Sequence, residues 1–193
     1  MGNFGRIESE QLTGDEQFKQ DSALTTGDFW RWAYSDLLNN TTRGVLAEFI
    51  VAQAIGDSSK VRTEWEPYDL KTPDGITVEV KSSAYIQSWH QDRLSTISFG
   101  IAPTKAWDVR TNTWSDDVCR QADVYVFCLL DCKDQGLVDT LDMEQWRFYV
   151  LPSVVLDENM PESKSISLSV LTQLEPEIAT FGRLAAAVQA ARR

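Results

Sequence analysis

Ala122-Asp123-Val124-Tyr125-Val126-Phe127-Cys128-Leu129-Leu130 is a nearly continuous apolar run. Successive strand side chains point to opposite faces, so a strand of this composition has to be covered on both. That requirement selects an inner strand of a sheet with further layers above and below it. Trp146 to Leu151 reads as a second strand of the same kind, stopped by Pro152. Leu94 to Ile101 alternates and reads as a third. Phe29 to Leu38 is expected to form a short aromatic-rich helix packed near a longer one at 41–56, and Pro176 to Arg192 an alanine-rich helix with Glu177 at its start and arginines at its end. Asp157 to Ser165 reads as a loop. The expected fold class is α/β, a central mixed sheet with flanking helices.

Residues 68–81, YDLKTPDGITVEVK, read as two short strands joined by a turn. Proline fixes φ and glycine accepts positive φ, so Pro73-Asp74-Gly75 suits the turn. Ile76, Val78 and Val80 then share an apolar face, and Thr77, Glu79 and Lys81 share the other. Glu79 and Lys81 stand roughly 7 Å apart along the strand, two residues at about 3.3 Å each. The turn brings Asp69 beside Glu79. Two carboxylates held that close repel, and a cation or a proton relieves them. Mg²⁺, which prefers a few carboxylates plus water and phosphate oxygens, is the expected ion, with Mn²⁺ as its substitute.

Glu48 is the third acid. Thr41 to Gly56 reads as a helix, capped at its start by Asn40, Thr41 or Thr42 and ended by Gly56. Between Gly44 and Gly56, Glu48 is the only charged residue, and it falls among apolar neighbours on the helical wheel. A carboxylate so placed is costly unless it is paired, protonated or metal-linked. Two readings stand: a functional acid, or a buried glutamate bonded to backbone groups or to an arginine.

The ordered set Glu48, Asp69 and Glu79-Val80-Lys81 resembles the PD-(D/E)xK nuclease superfamily, in which a helix glutamate precedes a hairpin carrying Asp and then (Asp/Glu)-x-Lys. The resemblance implies a restriction-endonuclease-like core and a metal-dependent nuclease acting on DNA. It implies that Asp69 and Glu79 bind the metal with help from Glu48, and that Lys81 orients or deprotonates the attacking water and steadies charge on the phosphate. Some branches place a glutamine shortly after the lysine, which makes Gln87 a candidate for contact with phosphate or with the metal's water shell. The chain departs from the pattern in one place: Tyr68 precedes Asp69, and Pro67 lies one position earlier.

Composition bounds the rest. One domain over 26–193 is expected, preceded by a polar, loose arm over 1–25. No stretch is long and apolar enough to span a bilayer, and Cys119, Cys128 and Cys132 fit free thiols in a reducing cytoplasm. His90 is the only histidine, so a histidine-rich metal site is excluded. Eighteen basic against 29 acidic residues gives a net charge of −11. Affinity for DNA comes mainly from Lys and Arg replacing counterions. The expected remedies are a local patch drawn from Arg43, Lys60, Arg62, Lys71, Lys81, Arg93, Lys105 and Arg110, or a homodimer or partner protein that supplies the grip. The same acidity supports a second class, a nuclease-like binding module without activity or an acidic protein that mimics DNA; a third, a structural subunit of a larger assembly, would use the aromatic residues at an interface.

Overall fold

The structure, a computed structural model, describes residues 7, 9–57, 61–63, 66–108 and 113–192. It begins with a small hairpin, β1 (Gln17–Phe18) and β2 (Asp21–Thr25), where the sequence suggested a loose arm. Gln20 turns the chain with a φ of 70°. Helix α1 (Thr26–Tyr34) follows, started by a reciprocal cap between Thr25 and Asp28. None of its residues is buried, and its main neighbour is β2 rather than the next helix. Helix α2 (Asn40–Ile55) starts one residue earlier than its sequence cap candidates, because Asn39 accepts a hydrogen bond from Thr41 N–H. It ends at Gly56, whose φ of 71° lies in the left-handed region that glycine tolerates.

The hairpin at 68–81 forms β3 (Leu70–Lys71) and β4 (Thr77–Ala84), antiparallel, with Gly75 at φ 97° in the turn. Then come β5 (Ser98–Gly100), an outlying hairpin of β6 (Thr104–Asp108) and β7 (Thr113–Cys119), and the buried strand β8 (Val124–Leu130). β9 (Trp146–Pro152), α3 (Ser153–Asn159), β10 (Ser165–Ser167) and α4 (Leu168–Gln173) follow. The chain closes with β11 (Glu177–Ala179) and α5 (Leu184–Ala190). Two expectations change here. The loop read from Asp157 is still helix as far as Asn159. The helix read from Pro176 starts only at Leu184, because Glu177 to Ala179 pair antiparallel with β9.

The central sheet runs β11-β9-β8-β4-β3 and is mixed: β4 and β8 are parallel, the other neighbours antiparallel. All seven residues of β8 are buried, as its composition required. One sheet face carries Val78, Val80, Val126, Leu130 and Phe148 against α2 and α5. The other carries Tyr125, Phe127, Leu129 and Leu151, under Phe99, Ile166, Leu156 and Leu171 from β5, β10, α3 and α4. Each large side chain so buried contributes about 1.5–3 kcal/mol. The β4–β8 register is pinned where Asp123 Oδ2 accepts hydrogen bonds from Thr77 N–H and its hydroxyl, at 2.9 and 2.8 Å. That register sets Glu79 beside Tyr125.

Arg43 was counted among the cations for DNA; the structure buries it at 3% exposure. Its guanidinium donates to Leu38 O (2.8 Å), Asn40 Oδ1 (2.6 Å), Gln87 Oε1 (3.1 Å) and Ser82 Oγ (3.3 Å). Burial pushes it down to about 10, still a cation at neutral pH. It therefore fastens the start of α2 to the end of β4. Arg43→Ala leaves several of these acceptors unpaired and is expected to cost at least about 2 kcal/mol. The check is a fall in the urea midpoint at unchanged slope; an unmoved midpoint refutes this role.

A candidate acid–lysine active site

Asp69 precedes β3, and the β3–β4 register places it opposite Glu79. Its backbone N–H donates to Val78 O, and its Oδ2 accepts from Val80 N–H at 2.7 Å. The side chain is therefore locked onto the neighbouring strand. Burial first, then the carboxylates of Glu79 and Glu48, push the Asp69 carboxyl up to about 7, against the Val80 N–H and Lys81, which pull it down.

Glu79 and Lys81 project from the same face of β4, as the alternation demands. The Lys81 ammonium lies 2.5 Å from Glu79 Oε1. Burial weakens its hold on the proton, but Glu79, Asp69 and Glu48 outweigh burial and raise Lys81 above its usual range. Lys81 is thus a positive charge wedged among three acids.

Glu48 enters from α2, only 14% exposed at its side chain. Arg62 holds it from two nitrogens, Nε to Oε2 at 2.5 Å and Nη2 to Oε1 at 3.0 Å. The arginine-bonded alternative is therefore the contact Glu48 makes in this state. Glu48 still lies close enough to Asp69 to raise its carboxyl.

Gln87 does not join this group. It is 7% exposed, and both of its amide atoms are used inside the protein. Its Oε1 accepts from Arg43, and its Nε2 donates to Ala84 O and Ser95 Oγ. No donor is left over for a phosphate, so the contact expected from sequence is replaced by a structural one. Ser82 likewise serves Arg43, and His90 is exposed beside Asp92.

Sequence reasoning passed over three neighbours. Arg62 was named only as a surface cation. Tyr125 and Lys164 line, with Glu79, Lys81, Pro67 and Gln121, a cleft of about 220 Å³. Tyr125 carried one usable signal, a lone hydroxyl in an otherwise apolar strand. Burial, then the Glu79 carboxylate, push its phenol above the usual range. Lys60 and Arg110 lie outside the described residues.

The donor set bears on a metal. Among the described residues, no three Asp, Glu, His or Cys side chains stand together as a metal cage. Asp69 and Glu79 do fit a two-carboxylate site of the Mg²⁺ kind. Each is a hard oxygen donor with a second oxygen for which no protein hydrogen bond is seen, and Glu79 acts on Asp69 as a neighbouring negative charge.

Fold and site together define a mixed-sheet α/β protein in which Glu79 and Lys81 line one cleft, with Asp69 and Glu48 near enough to act on the Lys81 charge. Residues 26–168 match the family model described as bacteriophage T4 endonuclease IV, and the chain belongs to that nuclease family. No curated protein matches the chain. A solved structure titled as a bacterial homing endonuclease, I-Ssp6803I, is similar at 20% identity with a TM-score of 0.36, over 66% of this chain and 76% of that one. Among the described residues, no helix is long and apolar enough to cross a membrane.

Proposed function

We propose that this chain is a metal-dependent endonuclease that hydrolyses DNA phosphodiester bonds by the PD-(D/E)xK mechanism. The observation that carries the reading is the hairpin register that continues to Asp69 opposite Glu79, with Lys81 alongside Glu79. Membership of an endonuclease family supports DNA as the substrate.

Asp69 and Glu79 would hold the Mg²⁺, with Glu48 assisting once Arg62 lets it go. When bound there, the ion supplies a Lewis acid for the phosphodiester. Lys81, charged and three-fold in its donors, orients the attacking water and meets negative charge as it grows on the phosphate. Val80 N–H keeps the Asp69 carboxylate from swinging away. The cleft beside Glu79 and Lys81 seats the DNA backbone. The acidic excess, a net charge of −11, opposes binding of a polyanion, so a second copy or a partner protein contributes to DNA affinity. The three free cysteines suit work in a reducing cytoplasm.

The test is direct. Purified protein with Mg²⁺ or Mn²⁺ is expected to cut DNA, and calorimetric titration with Mn²⁺ gives heat that Glu79→Gln removes. Failure to cut linear, supercoiled, branched and single-stranded DNA with either ion points to a binding module instead. Unchanged heat in Glu79→Gln moves the ion elsewhere.

A further inference from the structure

The cleft beside Glu79 and Lys81 holds a second, unclaimed pair of groups. Tyr125 is 4% exposed, and its hydroxyl makes no hydrogen bond among the described residues, although its ring lines the cleft. A buried phenol ordinarily has a partner. Here the hydroxyl has open space instead of a protein acceptor. Lys164 lines the same cleft from the segment just before β10. It is exposed and takes part in none of the ion pairs among the described residues. Lys81 is already matched by Glu79, so Lys164 is the ammonium of this cleft whose charge is left over.

The wall behind these groups is rigid. The Ile101 N–H donates to Lys164 O at 3.0 Å, which ties the lysine's backbone to the end of β5. Arg120, 7% exposed, braces the same wall by donating to Ile101 O, Asp157 Oδ1 and Met160 O at 2.9, 2.6 and 2.7 Å. A fixed neutral donor on the floor and a free cation at the rim make up a receptor for a phosphate oxygen. The cleft volume of about 220 Å³ leaves room for that group.

We infer that Tyr125 and Lys164 form a phosphate subsite, binding a phosphodiester of the DNA backbone beside Glu79 and Lys81. Tyr125 donates a neutral hydrogen bond and Lys164 supplies charge, so together they fix where the DNA backbone lies relative to Glu79 and Lys81. On a chain of net charge −11, one uncompensated ammonium in the cleft has an outsized share in attracting a polyanion. The inference rests on the proposed function only in assuming that DNA backbone occupies this cleft.

The experiment measures binding of a short fluorescent DNA oligonucleotide, single-stranded and duplex, by anisotropy in the presence of a chelator, so that no cutting occurs. Parent, Lys164→Ala, Lys164→Arg, Tyr125→Phe and the remote control Lys19→Ala are each titrated at several salt concentrations. Lys164→Ala is expected to weaken binding several-fold and to flatten the slope of log affinity against log salt by about 0.7–0.9, one phosphate contact's worth. Lys164→Arg restores both. Tyr125→Phe weakens binding without changing the slope, since the lost group is uncharged, and Lys19→Ala changes neither. An unchanged slope in Lys164→Ala, or an equal loss in Lys19→Ala, overturns the subsite. Absence of metal-dependent cleavage with the Lys164 slope change intact overturns the nuclease mechanism and leaves the subsite standing.

Discussion

Lys81→Ala is expected to lower the rate of DNA cleavage by about two to three orders of magnitude, the usual effect of removing one preorganised donor from a developing oxyanion. Its ammonium sits 2.5 Å from Glu79 and is held charged by three acids. Under the proposed mechanism, removing it takes away an ammonium that would meet charge growing on the phosphate. Lys81→Arg keeps the charge but spreads it over a planar fork, so it recovers only part of the loss. Single-turnover rates at saturating Mg²⁺ read this out. A Lys81→Ala enzyme within a few-fold of the parent removes the lysine from the chemistry.

Asp69→Asn is expected to have two opposite effects. Under the proposed mechanism cleavage is abolished, because one of the two carboxylates that would hold the metal is gone. Stability of the metal-free protein rises at neutral pH. The Asp69 carboxyl lies near 3.9 in an unfolded chain and at about 7 in the folded one, raised by burial and by Glu79 and Glu48. Between those values the folded state binds more protons than the unfolded state. Folding therefore loses about 1.4 kcal/mol per pH unit from this group as pH rises through that window. Asparagine carries no such cost. In chelator, the thermal midpoint of Asp69→Asn should exceed that of the parent at pH 7–8, and the gap should close towards pH 4. A variant less stable than the parent at pH 8 contradicts the strained acid cluster.

Much of the frame was legible in the chain. The apolar run at Val124–Leu130 demanded two covered faces and has them, one under α2 and α5, the other under β5, β10, α3 and α4. The alternation in β4 put Glu79 and Lys81 on one face and Val78 and Val80 on the other. These are local signals, carried by period and by turn chemistry. What escaped depends on distant partners. Glu177 to Ala179 became strand because β9 offered an edge, which nothing in an alanine-rich tail announces. Gln87 is spent on Arg43, 44 positions upstream, a pairing that spacing alone could not foretell. Arg62 and Lys164 come from segments with no periodicity, so their approach to the acids is a product of the tertiary fold.

Both borders of the central sheet are short. β3 contributes two residues and β11 three. An edge of that length offers another chain almost no ladder to extend, which guards against fibrous stacking at high concentration. Strand addition to the central sheet is then a poor route for one copy to join another.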